Sequence, residues 1–235
     1  MYLKRVTLCS ERYPTDQHYP FNQEILRRTP YLDFTTPVTF FVGENGTGKS
    51  TLLRAICRKC GIHIWHGLDR SRYQVNPYEE RLHDYVDITW ANGTVPGSFF
   101  ASDLFHDFAQ LLDEWAADDP GMLRYFGGQS LLTQSHGQSL MSLFKTRYTI
   151  PGLYFLDEPE TALSPKSQVG LVNILHEMGA AGHAQFLVAT HSPIVSACPD
   201  AEILNFDTIP ISPIAYADTE HYRVYKDFLN RPLGS

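Results

Sequence analysis

Three short apolar runs stand out along the chain, and each ends abruptly in polar or turn-forming sequence. Pro37-Val38-Thr39-Phe40-Phe41 leads into a glycine-rich stretch, Gly152-Leu153-Tyr154-Phe155-Leu156 into Asp157-Glu158-Pro159-Glu160, and Gln185-Phe186-Leu187-Val188-Ala189 into Thr190-His191-Ser192-Pro193. Runs this short, bounded by turn signals, predict buried core strands of an α/β protein with a mostly parallel sheet. Helical segments fall between them. Lys49-Ser50-Thr51-Leu52-Leu53-Arg54-Ala55-Ile56 reads as a helix, and so does the segment after Ser135, where Gln138 completes a capping-box spacing and Leu140 with Phe144 forms an apolar face.

The chemistry gathers where these strands stop. Val42-Gly43-Glu44-Asn45-Gly46-Thr47-Gly48-Lys49-Ser50-Thr51 is a complete phosphate-binding loop in the strand-before, helix-after setting such a loop requires. Glycines allow backbone amides to approach a polyphosphate, and the helix N-terminus faces it with unpaired N–H groups. Lys49 would reach the β- and γ-phosphates of ATP, and the Ser50 hydroxyl would ligate Mg²⁺. Asp157, at the end of the second run, is a second Mg²⁺ ligand, and Glu158 is the candidate general base for an attacking water. His191 ends the third run, and ligands of open α/β sheets bind off the carboxyl ends of strands, so it is expected at the γ-phosphate. The glycine-bearing helix start at Ser135-His136-Gly137-Gln138 is a second candidate phosphate-recognition element.

Composition narrows the class. The 235 residues contain no linker or repeat that divides them, so one domain over 1–235 is expected. A net charge of −7 argues against a protein whose main business is wrapping nucleic acid. No apolar stretch reaches the roughly 20 residues needed to cross a bilayer, which excludes direct membrane insertion. The first residues lack a secretory core and the four cysteines are scattered, so a cytoplasmic location is expected. Cys57, Cys60, His63 and His66 have a metal-ligand look, but the short spacing favours packed thiols at a helix end over a zinc site. Phe99, Phe100, Phe105, Phe108 and Trp115 read as the core of a helical subdomain.

In this order the motifs resemble those of the ATP-binding-cassette (ABC) ATPases. Gly43 to Ser50 is similar to Walker A, Ser135 to Gln138 to the signature loop with His136 in place of its first glycine, and Leu153 to Glu158 to Walker B. Thr161-Ala162-Leu163-Ser164 occupies the D-loop position, and His191 resembles the switch histidine. Ser135 precedes Asp157 by 22 residues, and His191 follows it by 34, both spacings a cassette uses. More narrowly, Tyr19-Pro20-Phe21-Asn22, Val38 to Leu53, Gly97 to Phe100, Ser135 to Gly137 and Asp218 to Asn230 resemble the small stand-alone bacterial predicted ATPases of AAA/ABC type, related to the structural-maintenance-of-chromosomes (SMC) and RecF-like branch. The resemblance implies an antiparallel β portion near the N-terminus and a helical, signature-bearing lobe over about residues 98–147. It implies ATP hydrolysis with Mg²⁺ through a head-to-tail homodimer in which Ser135 and Gly137 of one copy meet the γ-phosphate held by Lys49 of the other. The protein or nucleic-acid partner stays unidentified, and a slow ATP-gated switch or a transporter subunit are the alternatives. The chain departs from the pattern in three places. No glutamine loop is evident, Asp103 is the stand-in Mg²⁺-side ligand, and Ser164 replaces the D-loop aspartate.

Overall fold

The computed structural model describes residues 1–64, 76–119, 121, 123, 130 and 136–231. In chain order the first half holds β1 (Leu3–Leu8), α1 (Glu24–Arg28), β2 (Tyr31–Asp33), β3 (Val38–Val42), α2 (Lys49–Lys59), β4 (Val86–Trp90), β5 (Gly97–Ala101) and α3 (Phe105–Asp118). The second half holds α4 (His136–Arg147), β6 (Gly152–Asp157), α5 (Pro165–Ala180), β7 (Ala184–Ala189), β8 (Glu202–Asn205), β9 (Ser212–Pro213) and α6 (Glu220–Leu229). A six-stranded sheet runs β5-β6-β7-β3-β8-β9, parallel except for the terminal β8–β9 pair, and a three-stranded antiparallel sheet runs β2-β1-β4. The α/β architecture with its N-terminal antiparallel portion is the one the apolar pattern and the family resemblance predict. Among the described residues no helix is long and apolar enough to cross a membrane.

Every residue of β3, β6 and β7 is buried, because both faces of this sheet are covered. Side chains alternate between the two covers. Phe41, Phe155 and Leu187 pack with α2 and β1, whereas Phe40, Leu156 and Val188 pack with α3, α4 and α5. Each large side chain so buried contributes on the order of 1.5–3 kcal/mol. β1 instead alternates buried and more exposed positions, as a strand with one wet face should. The fully buried Gln185 joins the two sheets. Its Oε1 accepts from the backbone N–H groups of Tyr2 and Leu3, at 2.8 Å each, and its Nε2 donates to the Leu3 carbonyl at 3.0 Å.

Register decides what the sheet presents at its carboxyl edge. Ala101 pairs with Asp157, Asp157 with Ala189, Ala189 with Phe41 and Phe41 with Leu204, so five neighbouring strands share one rung near their carboxyl ends. The residues just beyond, Ser102, Glu158, Thr190 and Val42, therefore emerge side by side. One expectation needs correction here. Residues 97–101 are an edge strand of the sheet and not the start of a helical lobe near residue 98, and helix begins only after Ala101. Phe99 and Phe100 belong to opposite cores, the period-two signature of a strand, where aromatic spacing alone suggested a helical core.

Candidate functional site

The loop from Gly43 to Gly48 joins the central strand β3 to the first turn of α2. Gly48 caps that helix with φ +95°, a conformation that favours glycine, and a Cβ there would lie 2.7 Å from Gln23 Oε1 and displace that amide. Gly43, at φ +144°, is similarly pressed against Asp207, whose Oδ1 accepts the Glu44 N–H at 2.7 Å. Thr47 Oγ1 donates to the Glu44 carbonyl at 2.9 Å, and Gln23 Nε2 donates to the Gly46 carbonyl at 3.2 Å. Lys49 is only 4% exposed and donates to the carbonyls of Gly43 and Glu44, at 2.7 Å each. Burial pulls its pKa down, opposed by the carboxylates of Asp207, Glu158, Glu44 and Asp157. The single ammonium thus sits within the loop's curl, among amides and four carboxylates.

One turn into α2, Ser50 Oγ donates to Asp157 Oδ1 at 2.6 Å, and Arg54 Nε and Nη2 reach Asp157 Oδ2 at 3.2 and 3.1 Å. The 95% buried Asp157 is thereby held at both oxygens by one helix. A cavity of about 540 Å³ opens beside it, lined by Ser50, Arg54, Ser102, Asp157, Glu158, Thr161 and Ala162. The convergent hydroxyl and carboxylate oxygens of Ser50 and Asp157 are hard donors of the type Mg²⁺ prefers, so the residues present fit that ion. Ser102 lies just beyond β5, and its Oγ donates to the Glu158 carbonyl at 2.8 Å.

Glu158 follows in the left-handed region, φ 47° and ψ 53°, a conformation that costs a non-glycine residue on the order of 1–3 kcal/mol. The turn is pinned from several sides: the Glu158 N–H donates to the Ala189 carbonyl at 2.9 Å, and Thr161 Oγ1 donates to the Glu158 carbonyl at 2.9 Å. Its side chain, 41% exposed, faces the cavity with Oε1 3.6 Å from His191 Nε2. The backbone N–H of His191 donates to Glu160 Oε1 at 2.6 Å, and burial pushes the Glu160 carboxyl upward against that hydrogen bond. Glu160 thus positions the histidine turn rather than reserving itself for a proton transfer. Nδ1 of His191 lies 3.2 Å from His221 Nε2. Burial, followed by the charges of Lys49 and His221, lowers the His191 pKa to about 4, so the ring is neutral at pH 7.

The structure therefore brings together Gly43 to Ser50, Asp157, Glu158 and His191 from the ends of three adjacent strands. Thr51, one residue on, has its hydroxyl bonded to that of Tyr19. Gly137 lies in the first turn of α4, where a Cβ would come within 3.6 Å of the Ala162 carbonyl, so this helix start adjoins the turn after Glu158. Gln138 falls in that same turn, and Asp103 in the short turn after β5. Ser135 and His66 lie outside the described residues. Cys57 and Cys60 are buried free thiols, and burial raises that of Cys60 to about 12; among the described residues no three potential ligands group as a metal site. Ser164 N-caps α5, accepting the Ser167 N–H at 3.3 Å, which explains a serine at this D-loop position. Gln23, Asp207, Ser102 and His221 arrive from segments remote in the chain and carry no local signal, and Arg54 reads in the sequence only as part of the helix after the loop. Glu160, next to the acidic strand end, was the one with a local signal.

The chain is similar to several known proteins. Residues 121–197 match a family model described as an AAA domain, putative AbiEii toxin, Type IV TA system, and residues 22–61 match one described as an AAA domain. The phosphate import ATP-binding protein PstB 2 of Streptococcus pneumoniae is 24% identical over 176 aligned positions, covering 66% of this chain and 65% of that protein. The ferric enterobactin transport ATP-binding protein FepC of Escherichia coli is 27% identical, covering 60% of this chain and 57% of its own. The chain thus spans just under two thirds of the length of these curated relatives. Among solved structures, CbiO1 of Clostridium perfringens, part of an ABC transporter complex, aligns over 97% of this chain and 95% of its own with a TM-score of 0.53 at 17% identity. The SMC head domain of Thermotoga maritima covers 92% of this chain and 100% of its own with a TM-score of 0.48 at 18% identity. With a phosphate-binding loop after β3, a histidine after the adjacent β7 and an acid pair at the end of the next strand β6, the chain is similar to the AAA/ABC-type P-loop ATPases.

Proposed function

We propose that this protein binds MgATP and hydrolyses it to ADP and phosphate in a head-to-tail pair of identical chains, outside any transporter. The observation that carries the reading is the convergence of Lys49, Ser50, Asp157, Glu158 and His191 at the carboxyl edge of the sheet. The β- and γ-phosphates would draw Lys49 from the loop carbonyls, and Ser50 and Asp157 would hold Mg²⁺, which neutralises charge on the transferring group. Glu158 takes a proton from a water whose oxygen forms the new bond to the γ-phosphorus as the bond to ADP breaks. Neutral His191 donates a hydrogen bond to the phosphoryl oxygens. The nucleoside would continue past Thr51 into a groove of about 220 Å³ lined by Tyr19, Arg54, Arg58 and Glu80.

The second copy is inferred from the sequence Ser135-His136-Gly137-Gln138, whose Gly137 opens α4. In a cassette arrangement that element serves the phosphate of a neighbouring molecule, and Gly137 faces the Ala162 carbonyl closely enough that a Cβ there would lie 3.6 Å from it, beside the D-loop turn. ATP then favours the closed pair, and loss of the γ-phosphate releases it. The transport proteins among the relatives support a second reading, a transporter's nucleotide-binding subunit. Against it stands the lack of an evident glutamine loop in the sequence, the element that receives a transporter's membrane partner. A slow ATP-gated switch uses the same geometry without turnover.

Glu158→Gln should bind MgATP yet hydrolyse it at least about a hundredfold more slowly, and should sediment as a dimer only with MgATP. Adding Ser135→Arg should return it to monomer with ATP binding intact. Wild-type turnover in Glu158→Gln overturns the base assignment, and a mass indifferent to nucleotide overturns the head-to-tail pair. Undetectable wild-type turnover with stoichiometric ATP binding selects the switch.

A further inference from the structure

His221 belongs to no motif of the site, yet it touches the switch histidine. It lies in the first turn of α6, and its Nε2 is 3.2 Å from His191 Nδ1 with the two rings nearly edge to face at 74°. The same segment grips the His191 turn a second time, since Tyr216 Oη donates to the Pro193 carbonyl at 2.7 Å. Thr219, between these two contacts and 2% exposed, closes the segment by donating from Oγ1 to the Tyr216 carbonyl at 2.8 Å.

Two nitrogens at hydrogen-bond distance need one proton between them. If His191 Nδ1 carried it, the neutral ring would turn a bare lone pair at Nε2 toward the Glu158 carboxylate and toward any phosphate oxygen, acceptor against acceptor. If His221 Nε2 carries it, Nδ1 of His191 accepts, and Nε2–H becomes a donor facing the anionic side of the site. The groups around the ring favour this neutral form: burial and the Lys49 charge oppose a second proton on His191 more than Glu44 and Asp207 support one, and Glu160 holds only its backbone N–H. We propose that His221 is a positioning residue that donates from Nε2 to His191 Nδ1, fixing His191 as the Nε2–H tautomer needed to hydrogen-bond the γ-phosphate. This rests on the ATP hydrolysis proposed above. It also makes the C-terminal helix part of the catalytic apparatus, through its first turn.

The test joins a tautomer measurement to turnover. Two-bond ¹H–¹⁵N correlation spectra of the wild-type protein at pH 7 should show His191 protonated at Nε2 only, whereas His221→Phe should show mixed or Nδ1–H forms. His221→Phe should lose about tenfold in kcat with KM for ATP little changed, as expected when an orienting partner is removed. In His221→Gln the side-chain amide can donate to the same nitrogen, so most of the kcat and the Nε2–H signature should return. An Nδ1–H His191 in the wild type, or unchanged kcat and tautomer in His221→Phe, overturns the proposal. Absence of wild-type turnover would instead defeat the hydrolysis reading, while the spectra would still decide the histidine pairing.

Discussion

Helices α2 and α6 each deliver a side chain to the nucleotide face, and they are attached to the protein in opposite ways. α2 buries Lys49, Leu52, Leu53, Ala55, Ile56 and Cys57, and its first turn is continuous with the loop that ends β3. α6 buries none of its ten residues, and Val224, Tyr225, Phe228 and Leu229 are more than half exposed. Its hold on the body lies at its start, through Tyr216, Thr219 and His221. The difference separates two tasks. A residue that must meet phosphate charge needs a scaffold locked by burial on many sides, whereas a residue that only orients another can ride on an element fastened at one end. The first is fixed by the core, and the second stays adjustable in stability and in position.

Substitutions on the two helices test that contrast. Leu53→Ala, at a fully buried position against the sheet, should destabilise the fold by about 2–5 kcal/mol in urea denaturation. A loss below about 1 kcal/mol would mean that α2 is not the locked element its burial indicates. Lys49→Ala should weaken ATP binding by about a hundredfold or more, about 2.7 kcal/mol, in fluorescent-nucleotide titration, with the fold preserved because two loop carbonyls lose only a donor. Near-normal affinity would take the phosphate loop out of the site. The smallest effect belongs to Phe228→Ser, which should leave stability within about 0.5 kcal/mol of wild type because the ring is 68% exposed. A drop comparable to that of Leu53→Ala would show the α6 face packed in solution and erase the distinction.

Local signals were enough for the phosphate loop, Asp157, Glu158 and His191, because each sits at the end of an uninterrupted apolar run and the acids and glycines there have no other local use. The same signals failed at β5. Its five residues are few, the strand lies at the sheet's edge, and Phe99-Phe100 reads equally as helix or strand until each ring is seen in a different core. They failed too for Ser164, whose D-loop position hid an ordinary N-cap.

By itself the sequence determined the phosphate-loop motif, the acids and histidine at the ends of the apolar runs and the α/β class of the fold, since motif spacing and strand burial are written in consecutive residues. Only the tertiary structure decided the strand order that lines Asp157, Ala189 and Phe41 along one rung, the engagement of both Asp157 oxygens by Ser50 and Arg54, and the approach of His221 to His191. The side-chain contacts among them join residues 30 to 107 positions apart, and hydrogen bonds across such separations leave no periodicity for a linear reading to detect.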